Sequence, residues 1–312
     1  MSEELTIEEF RQQMIAKEKT TFTMLDNQTS EIMKSEYLFK DLLDMLARHV
    51  TTSVSNTILV QAQLPDAQAV TSSPEWEKRQ CPVKRDNNGY LPKGIYQIAY
   101  DGQRTDENGD VRAKYKIYKG YDASQTTDPV SAKSFINDIP PNSVYYDEPN
   151  KMRNLALCNS SLIKCIAYNP KSFIDDKEYI SDDDGVKYIP ETKTVIIKKV
   201  SRETWFQQVC FQIALGMYHR IDGTEYSYQK RSFEAIIVAY VVSRKMGVDT
   251  SCFHFDVTEL PQKYTPKQFR KMLEQTLEFA DDIVYRAKNK LNEYNVPKSQ
   301  KAAIEKREVY FQ

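Results

Sequence analysis

The stretch WFQQVCFQIALGMYHR, residues 205–220, predicts an amphipathic helix. Its apolar residues recur at helical spacing, which places them on one face that needs a packing partner. These apolar positions are Trp205, Phe206, Val209, Cys210, Ile213 and Met217. No two metal-ligand side chains stand one helical turn apart in this stretch, so we expect the helix to support the fold without holding a metal.

The elements around this helix predict a short sheet followed by helices. The segments VKYI (186–189) and TVIIKK (194–199) flank the turn residues PETK and predict two strands. A second helix, KRSFEAIIVAYVVSRKMG, should end at Gly247. The last helix should begin at Pro266, with Thr265 as its cap.

The first half of the chain predicts helices and then a small antiparallel sheet. Helical spacing extends from Ser30 to Val50 and again over residues 53–64. The alternating segments PKGIYQIAY (92–100) and VRAKYKIYKGY (111–121) predict a β-hairpin with a long tip. We therefore expect an α+β chain. The expected boundaries are 1–130 for a first domain, 131–155 for a linker and 156–305 for a second domain.

Composition narrows the class of protein. The 312 residues carry a net charge of −1 although 28% of them are charged, which argues against both a histone-like basic protein and an acidic DNA mimic. No continuous apolar run approaches the roughly 18 residues of a transmembrane helix. The start, MSEELTIEEF, is acidic where a signal peptide would be basic. Five scattered cysteines favour a reduced, cytoplasmic protein without membrane attachment.

Basic and aromatic residues are interleaved between residues 78 and 119. This segment contains ten basic and five acidic residues, a net charge of +5, so the remaining chain carries a net charge of −6. Arg112, Lys114 and Lys116 share one face of the second strand. Such a face suits single-stranded DNA, because cations contact phosphates and rings stack on bases. A half-buried hairpin whose lysines face water would show the same composition, and both interpretations stay open.

Several segments in about the first 130 residues resemble the N-terminal domain of ArdC-type antirestriction proteins. They are SNTILVQAQLPDAQAV (55–70), EW (75–76), the basic loop VKRDNNGYLPKGI (83–95) and KIYKGYDASQTTD (116–128). The basic loop is longer here than the compact lysine–glycine run of that family. The resemblance implies sequence-tolerant binding of single-stranded DNA in a mobile element or phage. The candidate DNA-binding residues are Asn56, Trp76, Lys84, Arg85, Lys93, Arg112, Lys114 and Lys116.

The order of elements in the second half resembles the zincin-like metallopeptidase domain that follows in the same family. In that domain two histidines of an H-E-x-x-H helix hold Zn²⁺, the glutamate is the general base, and a later helix adds an acidic ligand. Phe211 and Leu215 stand here at the histidine positions, Gln212 at the glutamate and Ile236 at the acidic ligand. The resemblance therefore implies a degenerate zincin-like domain of a short sheet and three helices, with no metal, no cofactor and no catalysis.

Two functions follow as hypotheses. The first is a non-catalytic single-stranded DNA-binding protein of a mobile genetic element or phage, for which the resemblance implies an antirestriction role. The second is a protein-interaction module whose pseudo-peptidase cleft binds a host or defence protein along an edge strand at 194–199. A relocated metal site at Cys210, His219 and Glu234 is disfavoured, because the first two would lie on opposite sides of their helix.

Overall fold

The computed structural model describes residues 6–105, 109–132, 148–167, 185–197 and 204–295. Its mixture of helices and small sheets confirms the α+β class. The helices are α1 (Ile7–Ile32), α2 (Glu36–Ala47), α3 (Val54–Gln63), α4 (Ser73–Lys78), α5 (Pro129–Ala132), α6 (Glu148–Ser160), α7 (Trp205–Asp222), α8 (Tyr228–Met246), α9 (Leu260–Lys263) and α10 (Pro266–Asn295). The strands are β1 (Val70–Ser72), β2 (Ile95–Thr105), β3 (Val111–Asp122), β4 (Lys164–Ala167), β5 (Val186–Ile189) and β6 (Thr194–Ile197).

The strands form two three-stranded sheets. The first has the order β1-β3-β2 with antiparallel pairs, so the predicted hairpin is its main ladder. The second has the order β4-β6-β5, in which β4 runs parallel and β5 antiparallel to β6.

The chain divides into two compact units. The first comprises Met1–Asp138 and His254–Glu274, and the second comprises Ile139–Phe253 and Gln275–Gln312. The expected boundaries placed residues 254–274 in the second domain, and the structure corrects this. The reason is aromatic packing, because the Phe39 ring lies 5.0 Å from that of Phe255 and 5.9 Å from that of Phe269.

The first unit is built on α1, α2 and α3. The sequence predicted continuous helical spacing from Ser30 to Val50, but the structure ends α1 at Ile32 and begins α2 at Glu36. Ser35 separates the two helices, since its hydroxyl accepts the N–H of Leu38 at 3.3 Å as an N-cap. The two helices can then bury different faces in one core.

The second unit places α7 against α8 and against the sheet strands β5 and β6. Gly247 ends α8 in the left-handed conformation (φ 68°), as predicted. The predicted start of α10 is also confirmed, because the Thr265 hydroxyl accepts the N–H of Gln268 at 3.3 Å. Among the described residues, no helix has the length and apolar character needed to cross a membrane.

Candidate functional sites

Two side-chain amides of α3 close the outer edge of β2. Asn56 accepts the N–H of Ile98 at 2.9 Å through Oδ1 and donates to its carbonyl at 3.0 Å through Nδ2. Gln63 makes the same pair of bonds to Tyr96, at 2.9 and 3.0 Å. Residues two apart on a strand present their backbone groups at one edge, and residues seven apart share a helical face. Asn56 is buried, so the structure corrects its assignment as a DNA-contacting residue.

Trp76 is also part of the interior. Its side chain is 0% exposed, and its Nε1–H donates to the carbonyl of Tyr121 at 2.8 Å. It packs with Cys81 and Val83 in a small core on which Leu91 also rests. A ring held in this way offers no face on which a base could stack. The structure therefore corrects the assignment of Trp76 as a DNA-contacting residue. The small core that contains Trp76 instead supports the loop that contains Leu91.

The segment after β3 that carries the resemblance is likewise structural. The buried Asp122 carboxylate accepts the backbone N–H groups of Gln68, Ala69 and Ser124 at 2.8, 3.0 and 2.9 Å. Gln125 completes a capping box by accepting the N–H of Asp122 at 2.9 Å. The sequence pattern located these residues, but two of the partners, Gln68 and Ala69, lie 54 and 53 positions away from Asp122 in the chain.

The basic loop between α4 and β2 has an ordered tip. Asp86 Oδ1 accepts the N–H groups of Asn88 and Tyr90, each at 2.9 Å. Arg85 Nη1 donates to the carbonyl of Gly89 at 2.9 Å, and Gly89 adopts a φ of +82° that favours glycine. Tyr90 and Arg85 are exposed at this tip. The loop therefore presents a cation and an aromatic ring from a held backbone.

Lys84 and Lys93 flank this tip at its base. The Lys84 N–H donates to the carbonyl of Gln125 at 2.9 Å, and the Gln125 side chain donates to the carbonyl of Lys93 at 3.1 Å. Both lysine side chains are exposed. Gln125 thus ties together the two ends of the loop by holding the backbone of both lysines.

Two of the three exposed lysines of β3 form a second group. Lys114 and Lys116 are both exposed and share one strand face, as predicted. Lys114 Nζ lies 2.8 Å from a carboxylate oxygen of Asp101, and this bond lowers the pKa of the Asp101 carboxyl. Arg112 belongs to β3 by its backbone, and its side chain lies outside the described part of the chain. On β2, Tyr100 exposes its ring at the surface of the same unit.

In the second unit, Tyr188 of β5 lies across α7. Its N–H donates to Gln212 Oε1 at 2.7 Å, and its hydroxyl is 2.8 Å from His219 Nδ1. Between these two residues, a Cβ placed on Gly216 would lie 2.9 Å from Tyr188 Cε2. The ring of Tyr226 stacks on His219 with centroids 4.6 Å apart. One face of α7 is therefore occupied by a single tyrosine that is held at both ends.

The four residues that the resemblance places at a peptidase site do not have the chemistry of metal ligands. Leu215 is buried, while Phe211 and Ile236 are half-buried, and their carbon side chains offer no lone pair. Gln212 is half-buried and engaged with Tyr188. In the described ranges, no group of three or more His, Cys, Asp or Glu residues could hold a metal ion.

The alternative metal set has other partners. Cys210 is fully buried, which raises the pKa of its thiol. Glu234 is buried and lies 3.5 Å from an Arg231 nitrogen, and His219 is bonded to Tyr188. The structure therefore does not bring these three residues together as one set of ligands.

The strand proposed for peptide binding has no unpaired edge. Within the described residues β6 lies between β4 and β5, so its backbone is paired on both sides. The expectation that 194–199 forms an edge strand is therefore wrong for residues 194–197, and residues 198 and 199 lie outside the described part. The described edge strand next to α7 is β5. At that edge the N–H of Tyr188 already donates a hydrogen bond to Gln212.

Comparisons with known proteins were made against families, curated proteins and solved structures. No family model and no curated protein matches the sequence. The Mn(II)-bound crystal structure of the antirestriction protein ArdC from the R388 plasmid is similar, with a TM-score of 0.50 and 10% identity over 84% of this chain and 97% of that chain. Its metal-free crystal structure gives 0.48 and 13% identity over 76% and 84%. The similarity to the Mn(II)-bound structure shows that the chain has an ArdC-like fold.

Proposed function

We propose that this chain binds single-stranded DNA through its first unit, as an antirestriction protein of a mobile genetic element such as a plasmid or phage. The observation that carries the proposal is the exposure of two groups of cations in one unit. The loop group is Lys84, Arg85 and Lys93, and the strand group is Lys114 and Lys116. The ArdC-like fold adds context, because the similar structure is that of an antirestriction protein from a plasmid.

Single-strand preference follows from the exposed aromatic residues of the same unit. Tyr90 belongs to the loop that carries Lys84, Arg85 and Lys93, whereas Tyr100 pairs with Tyr115 and so lies on the sheet face opposite Lys114 and Lys116. Tyr90 and Tyr100 expose their rings at the surface of the unit that carries both groups. A ring can stack on an unpaired base of any sequence, whereas the bases of a duplex are already stacked. We therefore expect the lysines to contact phosphates and the tyrosines to distinguish single strands from duplexes.

The second unit serves this function without catalysis in our proposal. Phe211, Leu215 and Ile236 lack metal-binding atoms, and Gln212 holds β5 in place of acting as a base. The five cysteines are all free thiols, in keeping with action in the cytoplasm. A protein partner at α7 is the alternative function, and it predicts no dependence of that binding on the lysines of the first unit.

The strand group provides a direct test. We expect the Lys114→Gln/Lys116→Gln double variant to bind a labelled single-stranded oligonucleotide more weakly. Its plot of log affinity against log salt should be flatter by about 1.4, since each phosphate contact on a single strand contributes about 0.7. Fluorescence anisotropy over a salt series measures both quantities.

A matched control is available on α10. Lys267 and Lys271 are exposed lysines of the same unit, one helical turn apart, and their double Gln variant has the same net charge as the test variant. This control should keep the wild-type salt slope. Equal slopes for the wild type and both variants would contradict the assignment of the strand group.

A further inference from the structure

The first turns of α1 carry an apolar stripe that faces solvent. Ile7 is 90% exposed, Phe10 58% and Met14 38%. Their spacing of three and four places them on one helical face. The same face continues to Thr21 and Leu25, which are buried. The stripe is therefore an extension of a packing surface beyond the part of α1 that meets its own core.

Charged residues lie beside the stripe in a pattern that can pair with itself. If Ile7 and Met14 are a positions and Phe10 is a d position, Arg11 and Glu18 both fall at e, one heptad apart. In an antiparallel helix pair the e positions face each other. Arg11 of one copy then meets Glu18 of the other, and the two-fold axis repeats the contact.

The apolar layers agree with this charge pairing. The same antiparallel register sets Phe10 of one copy against Met14 of the other, twice. It sets Ile7 against Lys17, whose half-buried stem can cover an apolar side chain while its ammonium lies 4.9 Å from the centre of the Tyr96 ring of its own copy. The contact therefore ends at Lys17, before the part of α1 that is buried in its own unit.

A parallel pair is disfavoured by the same residues. There the e positions face g positions, which are Thr6, Gln13 and Thr20 and carry no charge. Arg11 and Glu18 would then lack opposite partners. We propose that a second copy of this chain covers the stripe, as an antiparallel α1–α1 dimer with Phe10 and Met14 at its centre.

Sedimentation of the full chain over a concentration series tests the dimer. We expect a monomer–dimer equilibrium, with a dissociation constant raised at least about tenfold by Phe10→Ser, because a central aromatic contact is lost. Ile15→Ser is the matched control, since Ile15 is 50% exposed on the same helix but lies off the stripe. It should leave the constant unchanged.

A charge exchange distinguishes this register from general stickiness of the stripe. Arg11→Glu and Glu18→Arg should each weaken the dimer, and the double variant should recover it, because both reciprocal pairs are re-formed. A chain that is monomeric at all concentrations would overturn the proposal. A double variant whose dimer is as weak as that of the single variants would also overturn it. The same holds for an equal loss of dimer with Ile15→Ser. Any of these results would fit a stripe that binds another protein or lipid instead.

Discussion

The N–H of Tyr188 on β5 donates to the side-chain oxygen of Gln212 on α7 at 2.7 Å. The resemblance implies that Gln212 stands where a zincin-like peptidase has its general base, and this assignment stays a prediction. Here its amide oxygen satisfies a backbone donor at a sheet edge, and its partner is a residue whose hydroxyl is bonded to His219. In this structure Gln212 thus holds a strand to a helix.

Replacing Gln212 should therefore cost stability. Gln212→Ala leaves the Tyr188 N–H without its acceptor, and we expect the free energy of unfolding to fall by about 1–3 kcal/mol. Gln212→Glu keeps an acceptor oxygen and should cost less. Urea denaturation measures both, with Gln208→Ala at an exposed position of the same helix as control. An unchanged midpoint for Gln212→Ala would contradict this role.

Gly216 should tolerate no side chain. A Cβ at this position would lie 2.9 Å from Ile163 Cγ1 and from Tyr188 Cε2. Overpacking of this kind costs about 1–3 kcal/mol, whereas the gain in helix propensity from Gly to Ala is at most about 1 kcal/mol. We expect Gly216→Ala to lower the thermal midpoint. A variant more stable than the wild type would show that Tyr188 does not lie against this face.

Alkaline pH should lower the stability of the second unit. Burial raises the pKa of Tyr226 to about 12, with the neighbouring Tyr188 and Tyr228 adding to the shift. The folded chain then holds a proton that the unfolded chain releases near pH 10, so stability is intact below about pH 10 and falls as the pH rises towards 12. Tyrosinate absorbance of the wild type and Tyr226→Phe measures this. A difference spectrum that titrates near pH 10 in the folded protein would refute it.

The edge amides of α3 should affect stability and leave DNA binding intact. Asn56→Ala and Gln63→Ala each leave one N–H and one carbonyl of β2 without partners, at an expected cost of about 1–3 kcal/mol. Under conditions in which the variants stay folded, their affinity for single-stranded DNA should equal that of the wild type. A stable Asn56→Ala variant with lost affinity would restore this residue to the binding surface.

Sequence patterns located the elements of this chain better than the roles of individual residues. Periodicity predicted the β2–β3 hairpin, α7 and α8, and the cap at Thr265 fixed the start of α10, because these features depend on neighbouring residues. The roles of the residues that carry the resemblance could not be predicted in this way. Asn56 and Trp76 make hydrogen bonds to strands that lie 42 and 45 positions away, and such partners cannot be seen in a local pattern.

The same limit explains two further differences. The placement of residues 254–274 with the first unit depends on aromatic packing against Phe39, which no local pattern contains. The central position of β6 depends on β4, which pairs with it in parallel although the paired residues lie 30 positions apart in the chain. The break at Ser35, in contrast, could have been predicted from the sequence, because a serine before an apolar helix is a common N-cap.

Anisotropy with the full chain, a labelled single-stranded oligonucleotide and its duplex, each at low and moderate salt, tests the central claim most directly. The account predicts tighter binding to the single strand and a steep loss of affinity as salt rises, because cations contact phosphates and tyrosines need unpaired bases. No binding to either DNA at low salt would contradict it, as would equal, salt-independent binding to both.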